Sequence, residues 1–297
     1  MVPGFISSRI EAIYERLLHA EIDEAPSHVA VIQDGNRRYA EKNGEAPTDG
    51  HRKGAKTTAD FLDWCHEHEV EEVTLYAFST ENFSRPPAER EALFDLIAEK
   101  LTELAESDEV HEHEVHIRAI GDVERLPSRV QQAVDYAAEL TDSYDAFRLN
   151  IALAYGGRWE LLQVAREICR DVYDGVCDPD DVDIEMIEAR INDEPMRAVD
   201  LIIRTGGDER TSNFLPWHAN GNEAAVFFCA PYWPEFSKID FLRGIRTYQY
   251  RQRRWEQTRT KRALALVRAI RDGDGTVDDL ESEDHYEQFG SVSTPRR

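Results

Sequence analysis

The sequence predicts an α/β fold, a single domain in which a mostly parallel central sheet is flanked by helices. Short runs of β-branched and aromatic residues alternate along the chain with segments of helical length and periodicity. This alternation is typical of a parallel sheet covered by helices. A length of 297 residues with 41% hydrophobic residues is enough to bury one large core, and no internal repeat is visible.

The elements follow in chain order. Residues 5–21 carry apolar positions at helical spacing, which predicts an amphipathic helix in an N-terminal extension, 1–27. The predicted strands are 28–33, 72–78, 114–120, 148–155, 199–204 and 223–229. The predicted helices between them are 36–42, 51–66, 88–106, 128–140 and 158–173. An arginine-rich helix at 238–271 ends the predicted domain, 28–271, and the acidic, aperiodic segment 272–297 predicts a disordered tail.

The charge balance limits the classes of ligand. The chain has 59 acidic and 35 basic residues, with a net charge of -24, so its average surface repels phosphate and we expect no nucleic-acid binding. The six lysines are few, and this composition resembles that of proteins from a high-salt cytoplasm. At about 1 M salt the Debye length falls to roughly 3 Å, so an anion must be held by contact, preferably with arginine forks.

The cysteines and the hydropathy indicate a cytoplasmic location. Cys65, Cys169, Cys177 and Cys229 show no metal-ligand spacing, which favours reduced thiols in or near the core. No apolar run approaches a membrane span, and the N-terminus shows no signal-type segment.

Unusual polar chemistry follows four predicted strands, at the edge where open parallel sheets bind ligands. The segments are "DGNRR" from 34, "STENFSR" from 79, "GGR" from 156 and "TGGDERTSN" from 205. Arginines, glycines and a carboxylate at one edge are the composition of a diphosphate and metal site. Taken singly, each has a structural alternative: Asp34 as a helix N-cap, "SRPP" as a helix start and Gly206-Gly207 as a turn.

Seven motifs lie between residues 28 and 255: "HVAVIQDGNRRYA", "GHRKGAKT", "LYAFSTENFSRP", "LNIALAYGGR", "DLIIRTGGDERTSNFLPWHANGNEAAVFF", "YWPEF" and "YRQRRW". Together they resemble the motifs of the cis-prenyltransferases. The resemblance implies repeated condensation of isopentenyl diphosphate onto an allylic diphosphate, geranylgeranyl or farnesyl, with cis double bonds. The expected product is a long polyprenyl diphosphate of undecaprenyl type, used as a glycosyl carrier lipid. Magnesium, a homodimer, an apolar tunnel and peripheral membrane contact for product release are also implied.

The resemblance further implies the site residues. Asp34 and Asn82 are the expected catalytic residues, and Asp34 and Glu223 the expected Mg²⁺ ligands. The expected substrate-binding residues are Gly35, Asn36, Arg37, Arg38, Tyr39, His51, Ser79, Thr80, Glu81, Phe83, Arg85, Arg204, Arg210 and Ser212. Asp34 to Arg38 and His51 match the allylic diphosphate site, whereas Arg204, Arg210 and Ser212 match the isopentenyl diphosphate site.

Some features depart from the pattern or leave alternatives open. Arg37 stands where bacterial members have glycine, as in archaeal and eukaryotic forms, and Asp208 replaces a glutamate. Pro47 occupies a position where many members have a phosphate-binding arginine, which Arg52 or Lys53 could replace. Two other functions remain: a similar enzyme with a different acceptor, and a non-catalytic subunit of a heteromeric prenyltransferase. The stripe Leu93, Phe94, Leu96, Ile97 and Leu101 is either core or tunnel wall.

Overall fold

The computed structural model describes residues 4–191, 195–219 and 224–272. The strands are β1 (His28–Ile32), β2 (Glu72–Ser79), β3 (Val115–Ile120), β4 (Phe147–Tyr155), β5 (Leu201–Arg204) and β6 (Ala225–Phe228). The helices are α1 (Gly4–Glu21), α2 (Asn36–Asn43), α3 (Pro47–Glu67), α4 (Pro87–Ala105), α5 (Asp108–Glu112), α6 (Ser128–Thr141), α7 (Gly157–Tyr173), α8 (Ile184–Ile191) and α9 (Lys238–Asp272). Each predicted strand and helix is present, with ends that differ by a few residues.

The six strands form one sheet in the order β3-β4-β2-β1-β5-β6, and every neighbouring pair is parallel. The predicted fold class is therefore confirmed. The central position of β1 places β2 on one side and β5 on the other, so the chain order reverses there. In open parallel sheets this reversal leaves a crevice at the carboxyl ends of the strands.

Both faces of the sheet are covered. The larger core lies where Val29, Val31 and Leu149 meet α3, α4 and α6, and Phe61 and Trp233 are fully buried in it. On the opposite face, Ala30, Ile202 and Phe214 belong to a smaller buried cluster. Strands buried on both faces explain why their sequences are apolar without alternation.

The contacts divide the chain into a compact unit that ends at Gln249 and a second one that begins at Tyr250, inside α9. The domain boundaries 1–27, 28–271 and 272–297 stay predictions, and the acidic tail from residue 273 lies outside the described residues. Cys65 and Cys229 are buried as expected, whereas Cys169 is exposed. No helix in the described part of the chain has the length and hydrophobicity of a membrane span.

Candidate active site

A cavity of about 850 Å³ opens at the carboxyl ends of β1, β2 and β5 and continues between α3 and α4. One end is polar and is lined by Asp34, Asn36, Arg37, Arg38, His51, Arg52, Ser79, Glu81, Asn82, Arg85, Arg204, Asp208, Arg210 and Ser212. The other end is mainly apolar: its wall contains Leu62, Leu75, Leu93, Leu96, Ile97, Leu101, Leu104 and Ile151, together with the polar residues Lys100, Glu103, Ser107 and Glu109. The cavity thus joins an arginine-rich mouth to a mainly apolar compartment.

Asp34 lies at the centre of the polar end. Its Oδ1 lies 3.1 Å from Arg38 Nη2, and its Oδ2 accepts a hydrogen bond of 2.7 Å from Arg204 Nη2. Gly35, with φ of 101°, is the N-cap residue of α2, so the N-cap alternative for Asp34 does not hold. The Asp34 carbonyl accepts hydrogen bonds from Trp233 N and Thr205 Oγ1, which fixes the backbone that carries the carboxylate.

The Asp34 carboxylate is ionised at neutral pH. Burial raises its pKa, but the Arg204 hydrogen bond and the charges of Arg38 and Arg204 outweigh burial, so the pKa lies below its ordinary value. An ionised carboxylate with unused lone pairs is a ligand that a hard divalent cation prefers.

Arg204, at the end of β5, organises a second group of polar residues. Its side chain is buried, and its Nη1 donates to the Arg210 carbonyl at 2.6 Å and to Ser212 Oγ at 2.5 Å. Asp208 Oδ2 lies 3.2 Å from Arg204, 3.5 Å from Arg210 and 4.0 Å from Arg38. Asp208 therefore bridges arginines expected at two different diphosphates, a contact that sequence analysis missed although it marked the position as a departure.

The loop after β2 brings Ser79, Glu81, Asn82 and Arg85 to the cavity. Asn82 Oδ1 accepts a hydrogen bond of 2.9 Å from Ser79 N, which leaves its Nδ2 as the group that can reach a ligand. Arg85 Nη1 donates to Glu89 Oε1 at 2.7 Å, and the same nitrogen lies 3.5 Å from His51 Nε2.

His51 is neutral at working pH. Burial, followed by the charges of Arg85 and Arg37, lowers its pKa to about 4. Because burial contributes most to this shift, the His51 ring meets a ligand as an uncharged imidazole.

Four predicted binding residues do not line the cavity. Gly35 packs against Tyr232, where an added Cβ would come within 2.5 Å of Cδ1. The Tyr39 ring lies under Lys53, and Thr80 contacts Gly156. Phe83 packs on Phe78 and carries the Arg125 guanidinium at 4.3 Å from its ring centroid. These four residues therefore pack against neighbouring residues and are not part of the cavity wall.

The end of β4 differs from the expectation that all four strand ends contribute side chains. Within the described residues, Gly156, Gly157 and Arg158 are absent from the cavity wall. Gly157 N donates to the Asn213 carbonyl at 2.9 Å, and Arg158 N donates to Asn213 Oδ1 at 2.8 Å. The glycines instead give room to the neighbouring loop, because an added Cβ at Gly157 would meet Pro216 at 2.1 Å.

Glu223, the second predicted magnesium ligand, lies outside the described residues. Within the described ranges, no three His, Cys, Asp or Glu side chains form a cluster that could hold a metal ion by themselves.

The apolar stripe of α4 was expected to be either core or tunnel wall, and its residues are found in both places. Leu93, Leu96, Ile97 and Leu101 line the cavity, whereas Phe94 packs in the core against Phe78. Beyond Leu62 and Leu104, which border both spaces, lies a smaller cavity of about 70 Å³. Its wall is mostly apolar, including Val110, Val115, Phe147 and Leu149.

The chain is similar in sequence to a known protein family and to two of its archaeal members. The family model of undecaprenyl diphosphate synthase matches residues 32–256. The chain is 64% identical over 259 residues to the tritrans,polycis-undecaprenyl-diphosphate synthase (geranylgeranyl-diphosphate specific) of Halobacterium salinarum, covering 87% of this chain and 86% of that protein. It is 62% identical over 259 residues to the protein of the same name from Haloarcula marismortui, covering 87% and 85%.

A solved structure is also similar. The lavandulyl diphosphate synthase of Lavandula x intermedia, solved in complex with dimethylallyl diphosphate, matches with a TM-score of 0.70 and 30% identity. The match covers 75% of this chain and 95% of that one.

Proposed function

The chain belongs to the undecaprenyl diphosphate synthase family and is a cis-prenyltransferase, and we propose that it condenses isopentenyl diphosphate repeatedly onto geranylgeranyl diphosphate. The product is a polyprenyl diphosphate of undecaprenyl type, which serves as a glycosyl carrier lipid. One observation carries the proposal: the 850 Å³ cavity joins an arginine-rich end to an apolar end. A diphosphate that bears a growing hydrocarbon chain needs both.

The polar end supports a reaction that begins with loss of diphosphate. As the allylic C–O bond breaks, negative charge develops on the departing diphosphate, and a fixed arginine stabilises it more in the transition state than in the ground state. Arg38, held by Asp34, and Arg85, held by Glu89, are oriented before substrate binds. Arg204, Arg210 and Ser212 bind the isopentenyl diphosphate, whose double bond attacks the allylic carbon.

The residues fit magnesium as a partner of the substrate. Asp34 offers an ionised carboxylate in the cavity, and Mg²⁺ commonly binds one or two carboxylates together with substrate phosphates and water. Asp34 would hold the ion, with Glu223 as the second ligand in this proposal. When bound, Mg²⁺ adds positive charge next to the departing diphosphate.

Each condensation forms one C–C bond, breaks one C–O bond and releases diphosphate and a proton. For the expected catalytic residue Asn82 we propose a role other than that of the base, because an amide accepts protons poorly and Oδ1 already accepts a hydrogen bond from Ser79 N. We assign to Asn82 the role of holding substrate through Nδ2. The departing diphosphate is the strongest base at this place and takes the proton.

The apolar end accommodates the hydrocarbon chain. Leu93, Leu96, Ile97 and Leu101 form the side of this end that belongs to α4. These apolar side chains help to exclude water from the carbocation that forms next to them, at the mouth. A homodimer, a peripheral membrane contact through which so apolar a product leaves, and a cytoplasmic location remain part of the proposal.

The decisive experiment is incorporation of labelled isopentenyl diphosphate by the purified protein in high KCl with Mg²⁺. Geranylgeranyl and farnesyl diphosphate are supplied in separate reactions, and the Asp34→Ala variant serves as the control. We expect long products that form best from geranylgeranyl diphosphate and fall by about 10² or more in the variant.

Other outcomes identify the alternatives. Products on a different acceptor, with none on either allylic diphosphate, would support a related enzyme with another acceptor. No incorporation under any condition would support the non-catalytic subunit, although Asp34, Arg38, Arg85 and Arg204 are all present in the cavity.

A further inference from the structure

Three cations lie close together near the start of α3: Arg52, Lys53 and Lys56. Lys53 is engaged away from the cavity, since its Nζ donates to Glu45 Oε1 and Oε2 at 2.7 and 2.9 Å. The same ammonium lies 5.1 Å from the centre of the Tyr39 ring. Arg52 and Lys56 line the cavity, whereas Lys53 does not.

Among the cavity cations that the structure describes, Arg52 and Lys56 have no carboxylate partner, and of the two only Arg52 carries the guanidinium fork that binds a phosphate through two hydrogen bonds. Its neighbours are paired: Arg38 with Asp34, Arg85 with Glu89 and Arg37 with Glu41. Over the described ranges, Arg52 has neither an ion pair nor a hydrogen bond from its side chain. An exposed, unpaired guanidinium at the mouth of a cavity can bind an anion without first losing an internal partner.

The position of Arg52 indicates which of the two diphosphate sites it is near. It lies on the part of α3 that packs on α2, where Gly50 and Gly54 contact Asn36, and it lines the same cavity as His51, whose ring lies close to Arg85. These residues belong to the side of the cavity formed by α2, α3 and the loop after β2. Arg204, Arg210 and Ser212 form the opposite side, at the end of β5. The first turn of α3, residues 47–50, contains no basic residue.

We propose that Arg52 binds the diphosphate of the allylic substrate and that Lys53 does not. This inference rests on the proposed function. Arg52 supplies a bidentate contact at the mouth, which in high salt matters more than the long-range field of the protein. Its contribution is to substrate binding, so its removal raises the KM for the allylic diphosphate and leaves the KM for isopentenyl diphosphate unchanged.

Arg52→Gln, with Lys53→Gln as the matched control, tests the proposal. Both substitutions remove one exposed cation from adjacent positions of the same helix. We expect Arg52→Gln to raise the KM for geranylgeranyl diphosphate, and the Kd for its unreactive thio analogue, by about 10-fold, while Arg52→Lys is intermediate. Lys53→Gln should stay within about twofold of the parent protein in both substrates.

Three results would overturn the inference: an unchanged allylic KM in Arg52→Gln, an equal rise in both KM values, or the same effect in Lys53→Gln. Each of these leaves the proposed function intact, because it requires a parent protein that transfers prenyl groups. A parent protein that neither binds the thio analogue nor incorporates isopentenyl diphosphate would refute the proposed function and the role of Arg52 together.

Discussion

Gly206 and Gly207 occupy backbone conformations in which a larger residue would be strained, and at Gly206 an added Cβ would also meet a side chain of the site. Both have positive φ, 85° and 78°, which L residues other than glycine rarely adopt. An added Cβ at Gly206 would lie 2.6 Å from Arg38 Nη2, whereas at Gly207 it would meet nothing within 4 Å. The pair therefore separates backbone strain from displacement of a site residue.

We expect Gly206→Ala and Gly207→Ala each to lower the free energy of unfolding by roughly 1–3 kcal/mol. Gly206→Ala should also lower kcat/KM by about 10-fold or more, because it moves the Arg38 guanidinium from Asp34. Chemical denaturation and steady-state kinetics on both variants measure the two effects. Equal kcat/KM values in the two variants would show that Arg38 does not need this position.

Glu160 is a buried carboxyl group on the other face of the sheet. Its Oε2 accepts a hydrogen bond of 2.7 Å from the Tyr155 hydroxyl and lies 4.0 Å from His218 Nδ1. Burial raises the pKa of Glu160 to about 7, although the Tyr155 hydrogen bond opposes this, and burial lowers the pKa of His218 to about 4. Neither group gains stability from the other's charge at neutral pH.

The raised pKa makes stability depend on pH in a defined direction. Between the ordinary value of 4.5 and about 7, the folded protein holds the Glu160 proton that the unfolded chain has lost. Stability therefore falls as pH rises through this window and is constant above it. We expect the parent protein to lose roughly 1–3 kcal/mol more than Glu160→Gln between pH 5 and pH 8 in urea denaturation. Parallel pH profiles for the two proteins would contradict this.

At the scale of elements, the sheet could be predicted because its strands are continuous apolar runs, but the helix start at Pro47 could not. We predicted this helix from residue 51, and the glycines that weaken helical propensity lie just before that start, at Gly50, and just inside it, at Gly54. In the structure both glycines face α2, where an added Cβ would lie 2.1 Å from Asn36 O and 2.2 Å from Asn36 Oδ1. Close packing of α2 on α3, which no local pattern reports, outweighs the propensity. Helices α5 and α8 were not among the predicted elements, and α5, with five residues, is too short to show a periodicity.

For the candidate site too, one part could be predicted from the sequence and another part could not. The strand ends at Asp34, Ser79 and Arg204 could be predicted to converge, because parallel neighbours end at one edge. Sequence could not assign partners across that edge. The contacts of Asp208 with three arginines, the supporting positions of Thr80 and Phe83, and the choice between Arg52 and Lys53 all depend on side-chain directions in the folded chain.

Leu104 of helix α4 is expected to influence the length of the product. Leu104 borders both the main cavity and the smaller cavity of about 70 Å³ beyond it. Leu104→Ala should join the two spaces and lengthen the product by about one or more isoprene units, whereas Leu104→Phe should narrow this end of the main cavity and shorten the product. Mass spectrometry of the products measures both. Opposite substitutions at one position control for general damage, so a shift in the same direction for both would refute a role for this junction.

At the scale of the molecule, the charge distribution sets apart the site from the remaining surface. The chain has 24 more acidic than basic residues, yet arginines line the polar end of the cavity. Each of the arginines Arg38, Arg85 and Arg204 is oriented by a carboxylate that lies next to it. Contacts of this kind operate over a few ångströms and persist in salt, whereas the repulsion among the other acidic residues is a long-range effect that salt removes.

We therefore expect the protein to require high salt for stability. Lowering KCl from about 3 M to about 0.1 M extends the Debye length to about 10 Å, so the 59 acidic residues repel one another across the surface. The Tm should fall by roughly 10 °C or more, measured by circular dichroism at constant pH. Choline chloride at matched ionic strength should restore most of the loss if screening is the cause, and failure to do so would indicate specific potassium binding. A Tm that rises as KCl is removed would contradict the prediction, because it would mean that attraction between charges outweighs the excess of acid.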